Sequence, residues 1–422
     1  MRVPTARGVP VPAQRTPSRT VALVAAIALT VSAAVVVAVS GSPVWGAARA
    51  AVALALGVGA VLVLRRTAPR RPAGWCAVAL GAVVLPAVAV IAGGHLSGGA
   101  VLRGVAALVA AVAALVLLIA GAVWLLRATR GWWRLLALPV AFVIVQLVWA
   151  PVAQAVLVTN REPAVLADMT PADRGLSFED VTLTTDDGVE LAAWWVPTEN
   201  GAAVLLLHGS GSTRTATLDH AAVLADAGFG VLMVDARGHG ASEGTAMAIG
   251  WHGADDLAAA VDWLAARPDV DDGRIGAVGL SMGGEEALTL AGQDPRIVAI
   301  VGDGVGIRVA GDVASPSPFE DAVNRLTYGL TDLLTAASPP PTLREVVAGL
   351  EADQRVLLVA AAGEGEQASW YAATAPDRIE VWDVPDVAHT RALDEHPDEW
   401  SARVLAFLEE SLLGRVGSAP GP

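Results

Sequence analysis

A serine flanked by glycines lies in the acidic part of the chain. The stretch "GLSMGG" (279–284) places Ser281 between Gly279 and Gly283, after an apolar run and before the helical pattern "GGEEALTLAGQ". A serine turned sharply from a strand into a helix needs neighbours without side chains, because the chain doubles back there. The amides at the start of the following helix point at the same place. This context predicts that Ser281 is a nucleophile and not part of an ordinary turn.

A serine hydroxyl needs a base to take its proton and a carboxylate to orient that base. In hydrolases built on a parallel sheet the chain order is serine, acid, histidine. Two histidines, His389 and His396, follow Ser281. His389 lies in "VPDVAHT", directly after the last predicted strand, whereas His396 begins the run into the final predicted helix. We predict that His389 is the base and that His396 is an exposed residue near a helix start.

The orienting carboxylate is expected in the loop after the strand "RVLLVAAAG" (355–363). That loop offers Glu366 and Glu364. Three residues beyond Gly363 is the usual reach from a strand end to the imidazole, so Glu366 is preferred and Glu364 is the alternative acid. Asp303, at the end of the preceding predicted strand, is a third candidate.

The negative oxygen of a tetrahedral intermediate needs hydrogen-bond donors. One backbone N–H is expected from Met282, the residue after the nucleophile, and another from the loop after the strand "VLLLH". That loop reads "HGSG" (208–211), and its glycines allow a close approach to the site. We therefore predict that the N–H groups of Ser210 and Met282 form the oxyanion hole.

The surrounding sequence alternates between strand and helix patterns. Residues 178–197 contain two β-rich runs joined by Asp187-Gly188, which predicts a hairpin. Further on, continuous apolar runs alternate with helical spacing, which indicates a parallel sheet covered on both faces. Residues 309–354, with "SPSP" and "SPPP", break this rhythm and are expected to form a small cap.

With these motifs, residues 177–413 resemble an α/β-hydrolase, closest to serine esterases and aminopeptidase-like enzymes. The resemblance rests on "LLLHGSG" (205–211), "DARGHGASEG" (235–244), "GLSMGG" (279–284) and "VAHT" (387–390). It implies a mostly parallel sheet, no cofactor, and an acyl substrate. It also implies that the "D-x-R-G-H-G-x-S" loop is structural, which assigns that role to Asp235, Arg237, His239 and Ser242. The family usually has aspartate as the acid, whereas this loop offers only glutamate.

The first third of the chain has a different composition. Residues 1–158 contain thirteen arginines and no acidic residue, whereas 159–422 hold fifteen arginines and all 42 acidic residues, a net charge of about −27. A segment so rich in Ala, Val, Leu and Gly has no polar face to present to water. It contains apolar runs long enough to cross a bilayer. We predict about five transmembrane helices, at about 20–40, 44–64, 74–96, 101–126 and 135–158.

The arginines predict the orientation of these helices, because arginine-rich segments stay in the cytoplasm. The tail 1–19 and the loops "RRTAPRRP" and "RATRGWWR" are arginine-rich, whereas the loops "GSP" and "GGHLSGG" contain no arginine. An odd number of spans then places the hydrolase domain outside the plasma membrane, after a linker (159–176) and before a flexible tail (414–422). A cleaved signal peptide or a transporter bundle are the competing interpretations of this region. The absence of acidic residues favours an anchor over a transporter.

These patterns point to a membrane-anchored serine hydrolase that acts on an ester, a thioester or an amide through an acyl-enzyme. Its expected partners are the lipid bilayer and a small or lipidic acyl substrate. An acyltransferase uses the same machinery, and a binding or sensor module of the same fold is an alternative of another class. The sequence has no H-E-x-x-H, cysteine pair or EF-hand pattern, so no metal is expected. The strongly acidic domain would repel nucleic acid.

Overall fold

The computed structural model describes residues 19–38, 43–66, 71–97, 101–129, 131–160, 163–314, 316–335 and 337–414. The predicted tails, 1–19 and 414–422, lie outside these ranges apart from Arg19 and Gly414. The chain forms two compact units, Met1–Trp149 and Ala150–Pro422.

The N-terminal unit is helical. Its long helices are α1 (Arg19–Ala38), α2 (Pro43–Arg66), α3 (Arg71–Ser97) and α4 (Val101–Ala128). Small side chains allow α3 and α4 to pack closely: a Cβ added at Gly81 would lie 2.6 Å from the carbonyl oxygen of Ala114. Close contact through small residues is typical of helices that associate within a bilayer. After α4 come a 3₁₀-helix (Gly131–Leu136), α5 (Ala137–Ile144) and a π-helical turn (Val145–Trp149).

Three helices, rather than the five predicted, are each long and apolar enough to cross a membrane among the residues described. They are Arg19–Val36, Arg71–Leu96 and Val101–Ala128. The second predicted span corresponds to α2, which ends in Arg65 and Arg66. The fifth is interrupted by the π-helical turn, two residues before Pro151, which has no N–H to donate to a preceding carbonyl.

The C-terminal unit is built on one sheet of eight strands. The strands are β1 (Glu179–Thr184), β2 (Glu190–Val196), β3 (Ala203–Leu207), β4 (Gly230–Val234), β5 (Ile275–Leu280), β6 (Ile297–Asp303), β7 (Arg355–Ala360) and β8 (Ile379–Asp383). Their order across the sheet is β1-β2-β4-β3-β5-β6-β7-β8. β1 and β2 form an antiparallel hairpin, β2 pairs antiparallel with β4, and the pairs from β4 to β8 are parallel.

Both faces of this sheet are buried, as the continuous apolar runs predict. In β3, Leu205 and Leu207 belong to one apolar core, and Val204 and Leu206 belong to the other. The helices of this unit are α6 (Ala150–Thr159), α7 (Leu218–Asp226), α8 (Gly253–Ala265), α9 (Met282–Gln293), α10 (Pro318–Leu334), α11 (Leu343–Ala348), α12 (Gly365–Ala372), α13 (Ala392–Glu395) and α14 (Pro397–Leu408). Short 3₁₀-helices (Pro171–Arg174, Arg214–Thr217, Ala310–Asp312) and a terminal π-helical turn (Glu409–Leu413) complete it. Helices α10 and α11 lie in the long connection from β6 to β7, the region predicted as a cap.

Candidate active site

Ser281 occupies a strained turn between β5 and α9. Its backbone has φ +52° and ψ −116°, and it is one of two described non-glycine residues with positive φ. Such a conformation is costly for a residue with a side chain and is concentrated at functional sites. The neighbouring glycines have no room for a Cβ: at Gly279 it would lie 2.2 Å from the backbone of Gly283. At Gly283 it would lie 2.6 Å from the carbonyl oxygen of Leu207. The G-x-S-x-G spacing is therefore required by the backbone geometry.

Three side chains form a continuous hydrogen-bonded row. The Oγ of Ser281 lies 2.9 Å from Nε2 of His389, and Nδ1 of His389 lies 2.5 Å from Oε1 of Glu364. The second carboxylate oxygen of Glu364 accepts the N–H of Ala361 at 2.9 Å. These partners favour the tautomer in which Nδ1–H donates to the carboxylate and Nε2 accepts from the serine hydroxyl.

Adjacent parallel strands bring these residues together. Ser281 follows β5, Glu364 lies beyond β7, and His389 lies beyond β8. In the sheet β5, β6, β7 and β8 are consecutive neighbours. The loops after these strands all emerge at the carboxyl edge, which is the usual position of ligand sites in such sheets.

The structure does not bring the preferred acid, Glu366, to His389: the carboxylate that contacts the imidazole is that of the alternative acid, Glu364. Gly363 turns with φ +85°, and α12 already begins at Gly365. Glu366 therefore lies in the first turn of that helix with an exposed side chain. The extra methylene of a glutamate lets Glu364 reach the imidazole from a position one residue after Gly363.

The other two candidates lie elsewhere. His396 is at the start of α14, where its Nε2 is 3.3 Å from a carboxylate oxygen of Asp386. Asp303 is fully buried at the end of β6, and its carbonyl oxygen accepts the N–H of Ser281 at 2.7 Å. Its carboxyl group has no hydrogen bond of good geometry among the residues described, but the nearby indole N–H of Trp400 favours its ionised form. Burial raises the pKa of Asp303 to about 7, and the nearby Glu364 adds to this effect.

The contact between His389 and Glu364 shifts the pKa values of both residues in opposite directions. The hydrogen bond with Glu364 raises the pKa of His389 despite the opposing effect of burial. Burial tends to raise the pKa of Glu364, but the hydrogen bonds from His389 and from the Ala361 N–H outweigh it. The pKa of the Glu364 carboxyl group therefore lies below its ordinary value, and the group remains a carboxylate at neutral pH.

The residues predicted for the oxyanion hole lie on two neighbouring loops. Met282 is the first residue of α9, and Ser210 follows β3, which pairs with β5. Gly209 lies against the nucleophile, because a Cβ added there would be 3.4 Å from the Cβ of Ser281. His208 holds this loop: its Nδ1–H donates to the carbonyl of Gly209 at 2.8 Å, and its Nε2 accepts the N–H of Ala236 at 3.0 Å. This role of His208 could not be predicted from the motif alone.

The "D-x-R-G-H-G-x-S" loop makes the internal contacts expected of a structural element. The buried carboxylate of Asp235 accepts the N–H groups of Arg214 and Ala241, at 2.7 Å and 3.0 Å. The Ser242 hydroxyl donates to the carbonyl of Asp235 at 2.7 Å. Arg237 forms ion pairs with two aspartates, Asp187 and Asp256. His239 contacts the carbonyl of Arg237 through Nδ1 at 3.0 Å.

A group of buried charges below the nucleophile was also not predicted. Glu285, in the first turn of α9, accepts the N–H of Gly306 at 3.1 Å, and burial raises its pKa to about 7. Arg308 is buried and opposes this rise, and its backbone N–H donates to Asp312 at 3.0 Å. The only signal in the sequence is the pair of adjacent glutamates, 285 and 286, in an otherwise apolar helix. Among the described residues, no group of three or more His, Cys, Asp or Glu side chains is arranged to hold a metal ion.

The sheet order, the strained serine and the hydrogen-bonded row of serine, histidine and glutamate define an α/β-hydrolase. The chain belongs to the X-Pro dipeptidyl-peptidase (S15) family, whose model matches residues 148–406.

Several relatives and a solved structure are similar to this chain. The uncharacterized protein Rv2307c of Mycobacterium tuberculosis is 32% identical over 166 residues, which is 38% of this chain and 57% of that protein. The uncharacterized protein YfhR of Escherichia coli O157:H7 is 27% identical over 245 residues, 56% of this chain and 82% of that protein. The structure of the Pyrococcus furiosus esterase Pf2001 is 25% identical with a TM-score of 0.51, and the match covers 60% of this chain and 98% of the esterase. The chain thus matches little more than half the length of its mycobacterial relative.

Proposed function

We propose that this protein is a membrane-anchored serine hydrolase that cleaves carboxylic esters through an acyl-enzyme. The observation that carries the proposal is the continuous contact from Ser281 through His389 to Glu364, at 2.9 Å and 2.5 Å. A lost nucleophile, the usual mark of a binding or sensor module, is not found here.

In the first half of the reaction Ser281 Oγ attacks the carbonyl carbon while its proton passes to Nε2 of His389. Glu364 orients the imidazole and stabilises the imidazolium ion. The negative oxygen of the tetrahedral intermediate accepts hydrogen bonds from the N–H groups of Met282 and Ser210. His389 then protonates the leaving alkoxide, and the acyl group remains on Ser281.

In the second half a water molecule attacks the acyl-enzyme, with His389 again taking the proton. The acid is released and Ser281 is regenerated. With an alcohol in place of water the same steps transfer the acyl group, which is the acyltransferase alternative.

The ester is favoured by the similarity to the esterase Pf2001, which extends over nearly the whole of that protein. A peptidase is the second candidate, because the matching family is described by its X-Pro dipeptidyl-peptidases. The membrane anchor is supported by the three spanning-length helices in the first 128 residues, and the arginine-rich loops support an extracytoplasmic hydrolase domain.

The purified full chain and its Ser281→Ala variant should be compared on nitrophenyl butyrate and on a glycyl-prolyl nitroanilide. We expect the parent to have the higher kcat/KM on the ester and Ser281→Ala to lose that activity. A higher kcat/KM on the dipeptide derivative would establish the peptidase instead. A folded parent that acts on neither substrate would favour the sensor module.

A further inference from the structure

The outer face of the cap helix α10 carries an apolar stripe. Phe319, Leu326 and Leu333 are 50%, 39% and 78% exposed, and Ala322 and Gly329 are exposed between them. Spacings of three, four and seven residues place all five positions on one side of a helix. An apolar stripe of this length in contact with water is unfavourable, which marks it as an interaction surface.

The face of α10 opposite the stripe is buried within the C-terminal unit. Thr327 and Thr331 are buried there, and each hydroxyl donates to the carbonyl four residues earlier, at 2.9 Å and 3.0 Å. Tyr328 packs against an apolar cluster that includes Trp251 and Val309. The helix is therefore fixed in rotation, and its apolar stripe cannot turn inward.

Helix α6 is the neighbour of α10 that begins the C-terminal unit. α6 packs alongside α10. It contains no charged residue and follows Trp149, the last residue of the N-terminal unit, without a break in the sequence. Val158, near the end of α6, accepts the N–H of Ala248 at 2.8 Å, so α6 is also joined to the hydrolase domain. Because packed helices have axes about 8–10 Å apart, α10 lies beside the helix with which the C-terminal unit begins.

We propose that the apolar stripe of α10 docks on the lipid bilayer, with Phe319, Leu326 and Leu333 inserted at the boundary between headgroups and acyl chains. An amphipathic helix lies in the plane of this boundary with its apolar face buried by about 5–10 Å. Arg325 and Asp332 are exposed along one border of the stripe, where they can remain in water. The inference rests on the membrane anchoring of the proposed function.

Apolar contact, and not charge, provides the attraction. α10 contains three acidic residues, Glu320, Asp321 and Asp332, and a single basic residue, Arg325. Anionic headgroups attract basic segments and would repel this one. Docking is therefore expected on zwitterionic phosphatidylcholine, without any need for anionic lipid.

Docking would determine the class of substrate. The connection that contains α10 leaves the sheet after Asp303, whose carbonyl accepts the N–H of Ser281. A cap held on the bilayer keeps the site beside esters that are themselves dissolved in the membrane. The substrate class is then acyl esters that partition into lipid, in preference to short soluble esters.

The docking is tested in the full chain, reconstituted in phosphatidylcholine vesicles. In a Cys76→Ser background, which removes the single cysteine, Leu326→Cys is labelled with an environment-sensitive nitrobenzoxadiazole probe. We expect a blue-shifted emission that is quenched when the vesicles contain doxyl-labelled lipid. The matched control is the same label at Glu399→Cys, an exposed position on α14, where neither change is expected. Adding Leu333→Asp to the Leu326→Cys protein should reduce the quenching.

Two results would overturn the docking. A probe at position 326 that behaves like the probe at 399 means that the stripe remains in water. A blue shift without lipid quenching means that protein covers the stripe, either a second copy or other helices of this chain. Both results count only for samples with an unchanged circular dichroism spectrum.

The consequence for the substrate is tested by activity. In the Phe319→Ser/Leu333→Asp variant, hydrolysis of a diacylglycerol held in vesicles should fall by about tenfold or more, while hydrolysis of nitrophenyl acetate remains unchanged. Equal losses on both substrates would contradict the inference. If the parent hydrolyses neither ester, the proposed function fails, whereas the fluorescence result still decides whether the stripe docks.

Discussion

At the scale of single residues, the site depends on the contact between His389 and Glu364. This contact raises the pKa of His389 and keeps Glu364 ionised. Only the neutral imidazole can take the proton of Ser281. Activity should therefore be lost as the pH falls through the pKa of His389, at a pH above the usual value of that group.

Two neighbouring glutamates provide a matched pair of variants. Glu364→Gln should lower kcat by about 10³- to 10⁴-fold, because the imidazole loses its orienting carboxylate. The residual activity should extend to lower pH, since the pKa of His389 falls. Glu366→Gln leaves every contact of the site in place and should change kcat less than about twofold. Ester hydrolysis measured between pH 5 and 9 gives both quantities, and the reverse order of effects would restore Glu366 as the acid.

The buried carboxyl group of Asp303 predicts a dependence of stability on pH. Its folded-state pKa of about 7 lies above the value in the unfolded chain. The stabilisation by the protonated form is thus complete at pH below the unfolded pKa and is lost as the pH rises through about 7. An asparagine side chain does not ionise, so Asp303→Asn should abolish this loss of stability at higher pH.

We therefore expect the Tm of Asp303→Asn, relative to that of the parent, to rise between pH 5 and pH 8 by at least about 3 °C. Any constant cost of the substitution cancels in this comparison. Thermal melts of both proteins at pH 5 and pH 8 measure this difference in Tm. Parallel changes in the two proteins would show that Asp303 does not titrate in this range.

At the scale of elements, the turn between β5 and α9 positions the nucleophile. The turn brings α9 so close to β3 that Gly283 has no room for a Cβ. Gly283→Ala should therefore destabilise the fold by about 2 kcal/mol or more and lower kcat/KM by at least about 100-fold. The control is Gly329→Ala on α10, where a Cβ meets nothing within 4 Å. That change should stabilise α10 slightly. Unfolding by urea and ester kinetics measure both variants, and equal behaviour would refute the steric argument.

Local patterns predicted the elements, and long-range contacts limited the prediction of the site. The hairpin at Asp187-Gly188 and the turn at Ser281 depend on a few adjacent residues, and both could be inferred from the sequence. The choice between Glu364 and Glu366 depends on the residue at which α12 begins. The sequence of a loop rich in glycine and glutamate does not reveal that residue. The partners of Glu285 and the burial of Asp303 arise from packing between distant segments, so composition alone could not indicate them.

At the scale of the whole molecule, the uneven distribution of charge is the main feature. The first 158 residues contain no acidic residue, whereas the remainder carries a net charge of about −27. The arginines predict a cytoplasmic N-terminus and an external hydrolase domain. The orientation depends on how often the chain crosses the membrane. Because fewer uninterrupted spans are found than predicted, the orientation remains a prediction.

Protease added to intact protoplasts tests this orientation. We expect digestion of the hydrolase domain and protection of a tag placed at the N-terminus, with the reverse pattern in inverted vesicles. After carbonate extraction the full chain should remain in the membrane pellet. Protection of the hydrolase domain in intact protoplasts would place it in the cytoplasm and contradict the predicted topology.

The most direct test of the central claim is the covalent trapping of the nucleophile. The purified full chain is treated with a fluorophosphonate, digested, and analysed by mass spectrometry. We expect one adduct, on Ser281, that is absent from Ser281→Ala and much slower to form in Glu364→Gln. An adduct on another residue, or a folded parent that forms none, would contradict the assignment of Ser281, His389 and Glu364 as the catalytic residues.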